Sequence, residues 1–190
     1  MDQQTVLDFW FGAPGSAEHM RPREVWFKST PRFDYETREA LQPLQSAAAS
    51  GGLNWWAEEP DGALALVILL DQVPRNIYRG TAEAYASDPL ARAAAVTAYG
   101  KGFDRNQPPV RRWFLYMPFM HSEALGDQQR SVSLFEQLRD DLDSRPSIIA
   151  AHRHHDVIAR FGRFPHRNAI LGRESTAEEL AFLKENGPGF

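Results

Sequence analysis

The chain contains no cysteine, which excludes disulfides, thiolate nucleophiles and thiolate metal sites together. Lysine is almost as scarce: of 21 basic residues, 3 are Lys and 18 are Arg. A preference for the rigid guanidinium fork fits ordered ion pairs and anion contacts, and a genome rich in Arg and Ala codons produces the same bias. The longest apolar run, residues 63–70, is eight residues and too short for a membrane span. The opening Met1-Asp2-Gln3-Gln4 lacks the basic region of a signal peptide, so a cytoplasmic location is expected. A net charge of −4 argues against a protein that coats nucleic acid. Sustained apolar–polar alternation and Asn-Gly or Asp-Gly hairpin turns are also missing, which removes the strand signals. What remains is 190 residues, 43% hydrophobic, with 12 Phe, 5 Trp and 5 Tyr. Such a chain can bury a core and is not disordered.

Nearly every segment reads as helix. A short first helix around Val6 to Phe11 ends at Gly12, and Val25-Trp26-Phe27 forms one apolar turn. A second helix covers 33–50 and stops at Gly51-Gly52. Residues 63–70 are apolar on every side, the pattern of a central, surrounded helix, and Pro74 is expected to kink or stop it near Asp71. Asp88 caps a following Ala-rich helix with Pro89 in its first turn, ending at Gly100. An aromatic helix over 110–117 is stopped by Pro118, and an amphipathic helix of about five turns runs from Leu125 to Leu142. Another runs from Arg145 to Phe161, with Gly162 as its stop. A last one opens at Ser175 with Glu178 in a capping box and ends near Asn186-Gly187-Pro188. Short connections between neighbours imply antiparallel helical hairpins stacked in a layered array. The fold class is all-α, one domain over 1–190, monomeric, with any helical repeat too degenerate to give a clean 34-residue period.

Three stretches are polar where their flanking helices are apolar: Leu70-Asp71-Gln72-Val73-Pro74-Arg75-Asn76-Ile77-Tyr78-Arg79-Gly80-Thr81, Phe114-Leu115-Tyr116-Met117-Pro118-Phe119-Met120-His121-Ser122-Glu123, and Arg160-Phe161-Gly162-Arg163-Phe164-Pro165-His166-Arg167-Asn168. Together with 6–12 and 172–176, they resemble the bacterial domain-of-unknown-function family numbered nine hundred and twenty-four, over Val6 to about Leu183. The resemblance implies an all-helical fold similar to tetratricopeptide-repeat proteins and assigns no reaction, ligand or cofactor. Val73 departs from a pattern that usually has Phe there, an apolar exchange.

The residues themselves carry the functional reading. The segment 152–173 holds five Arg and four His against one acid, Asp156. Concentrated Arg beside Gly162-Arg163-Phe164-Pro165-His166-Arg167-Asn168 suits a phosphate or carboxylate, and equally suits ion pairs with acidic helices of the same fold. Helical periodicity puts Ile148, Ala151, His152, His155, Ile158 and Ala159 on a core face, with Asp156 between Arg153 and Arg160 on a polar wedge. At Asp71-Gln72-Val73-Pro74-Arg75, a kink opens a pocket between helices, or a buried Asp71–Arg75 or Asp71–Arg79 pair fixes it. We expect Asp71, Gln72, Arg75, His121, Glu123, His155, Arg163, His166, Arg167 and Asn168 to converge on one pocket. The function so read is a binding module for a small anionic ligand or acidic peptide end, with Arg163 and Arg167 as charge partners and no metal or cofactor.

Two other classes compete. His155-Asp156 with His121 resembles a metal-dependent phosphohydrolase signature, but no later Asp follows. A helical array also offers a groove for partner proteins. Ser122 beside His121 and Glu123 is adjacency in sequence and does not make a catalytic triad. No Gly-rich phosphate loop, Gly-x-Ser-x-Gly elbow or His-Glu-x-x-His pattern occurs. Enzymatic activity is therefore left open.

Overall fold

The computed structural model describes residues 2–28 and 30–187 and is all-α, with no strand among them. Eight α-helices occur among these residues: α1 (Gln3–Phe11), α2 (Pro31–Ala49), α3 (Pro60–Ile77), α4 (Asp88–Gly100), α5 (Pro109–Met120), α6 (Leu125–Glu136), α7 (Arg145–Phe161) and α8 (Ala177–Asn186). They form helical hairpins in a layered array. Contacts group the chain into two compact units, residues 1–118 and 119–190, with the division falling inside α5. Among the described residues no helix is long and apolar enough to cross a membrane.

In the first unit α3 is the centre. Its residues 62–74 are all buried, and it packs against α1, α2 and α4. Gly62 is required at its start, because a Cβ there would collide with the Trp56 carbonyl of the preceding 3-10 turn. An aromatic cluster extends this core: Phe114 meets Trp26, Phe11 and Trp10 edge-on at 4.9, 5.4 and 5.6 Å between ring centroids.

The expected stop near Asp71 does not occur; α3 continues through Pro74 to Ile77. Proline leaves the Leu70 carbonyl without its helical donor, and the Ser87 hydroxyl takes that place, donating to Leu70 O at 2.6 Å. Ser87 is also the N-cap of α4, so Asp88 is not the cap; it lies in the first turn and pairs with Arg75. We expect Ser87→Ala to destabilise the protein by about 1–3 kcal/mol, because a buried carbonyl is left unsatisfied. Adding Pro74→Ala restores the amide donor and should recover most of that loss in urea denaturation. Equal stability of the single and double variants would refute this account.

Three further boundaries differ from expectation. Helix α5 also passes through its proline, Pro118, to Met120. Helix α6 ends at Glu136, and the Leu142 segment is a separate 3-10 turn. The last capping box is set one residue later, Thr176 with Glu179. Both registers fit the box pattern, and Glu179 is chosen because its side chain is also claimed from outside the helix. The predicted end of α8 is met at Asn186 and Gly187, and Pro188 lies outside the described residues. In the second unit α6 packs against α7, and α8 against a 3-10 turn, Pro165–Arg167, which follows the left-handed stop of α7 at Gly162.

Candidate functional site

Asp71, Gln72 and Arg75 belong to the first unit and the other seven candidate residues to the second, so each group is described within its own unit. In the first, Arg75 pairs with Asp71 one turn away at 3.4 Å and with Asp88 at 3.0 Å, while Gln72 donates to Asp71 Oδ2. Burial alone would lower the Arg75 pKa, but the two carboxylates outweigh it and hold the guanidinium charged. Arg79 goes to Asp34 rather than to Asp71. The ion-pair reading of this stretch is thus realised: Asp71 is fully buried and its neighbours are donors of the same chain.

In the second unit three of the five Arg of 152–173 face carboxylates that lie outside the segment. Arg163 grips Glu179 with Nε and Nη2 at 2.7 and 2.9 Å, and Nη2 also donates to the Glu174 carbonyl. Glu179 further accepts from Thr176 N at 2.7 Å and from Asn168 Nδ2 at 3.3 Å. The Arg163 hydrogen bonds lead in lowering its pKa to about 2, against the opposing effect of burial. Arg173 grips Glu123 in the same forked way, at 2.7 and 2.9 Å, and Glu123 also accepts from the Phe164 amide at 2.8 Å. Burial works to raise the Glu123 pKa, yet the Arg173 and Phe164 donors and the charges of Arg173 and Arg167 hold it below the ordinary range. Arg160 pairs with Glu178, not with Asp156 as the helical spacing predicts.

The ring of Phe164, fully buried, is where the remaining candidates meet. Arg167 lies over it at 4.6 Å, and His166 and His154 are each 5.5 Å from it. His121 follows, its ring 6.2 Å from that of His154. His154 directs Nδ1 at the Ala150 carbonyl at 2.8 Å; a carbonyl only accepts, so Nδ1 carries the proton and Nε2 is left as an acceptor. Burial first, then the charges of His121, His166 and Arg167, push its pKa down to about 3 against the effect of the Ala150 bond. His154 is therefore neutral at pH 7, held so chiefly by burial, with neighbouring positive charge adding to the effect.

These positions correct the predicted core face of α7. His152 is half exposed and pairs with Glu136, and His155 faces Asp156 on the surface of the helix. The inward side is Ser147, Ala151, His154 and Ile158, a stripe rotated by about one residue. His154 and Arg173 were not among the expected site residues. Thus Glu123, Arg163, His166, Arg167 and Asn168 gather around Phe164 and Glu179, His121 lies beside His154, and His155 does not join them. Among the described residues no three His, Asp or Glu side chains are grouped as a metal ion requires.

A family model described as "Bacterial protein of unknown function (DUF924)" matches residues 6–187. The chain belongs to this family. A solved structure titled "Structure of Protein of Unknown Function ATU0120 from Agrobacterium tumefaciens" is 40% identical, covers 97% of each chain and superposes with a TM-score of 0.84. No curated protein matches. The sequence resemblance and the all-helical fold it implies agree with both findings.

Proposed function

We propose that the second unit binds a small oxyanion, a phosphate or carboxylate, at the cluster of His121, His154, His166 and Arg167. The observation that carries this reading is the gathering of two imidazoles, His154 and His166, and the Arg167 guanidinium around the Phe164 ring, with the His121 ring beside that of His154. The three imidazoles are partly exposed, while Arg167 is buried and supplies a fixed positive charge beside Phe164. Arg163, an expected charge partner, is already forked onto Glu179 and has a positioning role: it holds the turn that carries His166 and Arg167.

An anion at this cluster offsets the charge that opposes protonation of His154, so binding takes up protons and strengthens as pH falls. Inorganic phosphate is the probe. At about 100 times its dissociation constant it should stabilise the protein by about 2.7 kcal/mol in thermal denaturation. The effect should shrink with added potassium chloride and at higher pH, and Arg167→Lys should weaken binding several-fold by removing the fork. A phosphate response that Arg167→Lys leaves unchanged, or none at pH 6, defeats the proposal. So does hydrolysis of a phosphate ester that appears only with an added divalent ion, which would favour the phosphohydrolase class.

A further inference from the structure

The first unit contains a cavity of about 390 Å³ between the C-terminal half of α2, the end of α3, the 3-10 turn Ala82–Tyr85 and the start of α4. This size falls at the small-molecule end of ligand cavities. Its walls are of two kinds. Ala49, Ala86 and Leu90 give an apolar side, and all three are exposed there. Gln45, Tyr78 and Glu83 give a polar side, on which the Tyr78 hydroxyl makes a long, 3.4 Å bond to Gln45 Oε1. Glu83 is the single charged residue among the described residues that line the cavity. Hydrogen bonding from the Thr81 side chain, then from its own backbone, lowers its pKa, so it is ionised at neutral pH.

The Glu83 carboxylate accepts only, Gln45, Tyr78, Ser46 and Ser87 both donate and accept, and the Tyr78 ring adds a face that attracts a cation. Beside them lies an aliphatic wall, and no Lys or Arg lines the cavity among the described residues. An anion would meet the Glu83 charge with no Lys or Arg in the lining to offset it, whereas a neutral alkyl group would leave that charge without a partner. We propose that this cavity binds a small free aliphatic amine, its ammonium group toward Glu83 and Tyr78 and its alkyl chain along Ala49, Ala86 and Leu90. The site is independent of the oxyanion cluster and involves none of its residues.

Pentylamine, 1-pentanol and pentanoate share one chain and differ in charge, so they are the probes. Titrated into the full-length protein and followed by amide chemical shifts, pentylamine should perturb Tyr78, Glu83 and the residues of α2 and α4 that line the cavity, with pentanol about tenfold weaker and pentanoate weaker again. Glu83→Gln, at an exposed position, should reduce pentylamine affinity about tenfold and leave pentanol unchanged, the loss expected for one charge-assisted contact. Ala86→Phe, also at an exposed position, should abolish binding of both by filling the space. Pentanol binding as tightly as pentylamine, or pentylamine binding indifferent to Glu83→Gln, overturns the proposal. A lysine-containing peptide that binds where pentylamine does not overturns the choice of a free amine.

Discussion

Replacing Glu179 by Ala is expected to cost about 2–4 kcal/mol, because it removes hydrogen bonds to a buried charge and a helix cap while leaving Arg163 partly open to water. Its side chain is 2% exposed and accepts from Arg163 twice, from the Thr176 amide and from Asn168. Truncation strips the α8 cap and leaves Asn168, itself fully buried, short of an acceptor. The adjacent acid supplies the control. Glu178 is 61% exposed and pairs with an Arg160 that is 53% exposed, so Glu178→Ala should cost under about 1 kcal/mol. Urea denaturation of the two variants separates the cases, and a Glu179 loss no larger than the Glu178 loss would show that the Arg163 fork is a surface contact only.

That pair of residues also marks where sequence reasoning reaches its limit. Ser175-x-x-Glu178 and Thr176-x-x-Glu179 are both capping boxes, and local chemistry cannot choose between them. The choice is made by Arg163, sixteen residues upstream, whose fork selects Glu179. The count of five Arg against one acid over 152–173 fails for the same reason. It stops where the carboxylates begin, since Glu123, Glu178 and Glu179 all lie outside the segment. Pro74 is a third case. Its lost donor is legible, but the replacement, Ser87, comes from a different helix and can be known only once α3 and α4 are packed. Helix existence was legible almost throughout because propensity, caps and glycine stops are local. On α7, by contrast, the stripe containing His154 and the stripe containing His152 and His155 are similar in composition. Contact with Phe164 decides which one turns inward.

His154 gives the second large effect, through pH. Its folded pKa of about 3 lies below the 6.5 of an unfolded histidine, so between these values the unfolded chain holds more protons than the native one. Stability must then rise with pH across this window and be lost as pH falls from about 6.5 towards 3. Allowing for the partial exposure of the ring, wild-type stability should fall by about 1–2 kcal/mol between pH 7 and pH 5 from this residue alone. The Glu179 window is separate: its folded pKa of about 2 lies below the ordinary 4.5, so its contribution is complete above about pH 4.5 and fades only beneath it. His154→Gln, which keeps a donor for the Ala150 carbonyl and cannot titrate, should therefore flatten the stability profile from pH 7 to 5 and leave the steeper acid limb in place. Phosphate should lessen the slope over the same stretch in the wild type, because a bound anion offsets the neighbouring positive charges and raises the folded pKa of His154, while the larger effect of burial remains. A wild-type slope that survives His154→Gln undiminished would place the proton uptake elsewhere. A slope that vanishes with the substitution but ignores phosphate would separate the depressed histidine from any oxyanion site.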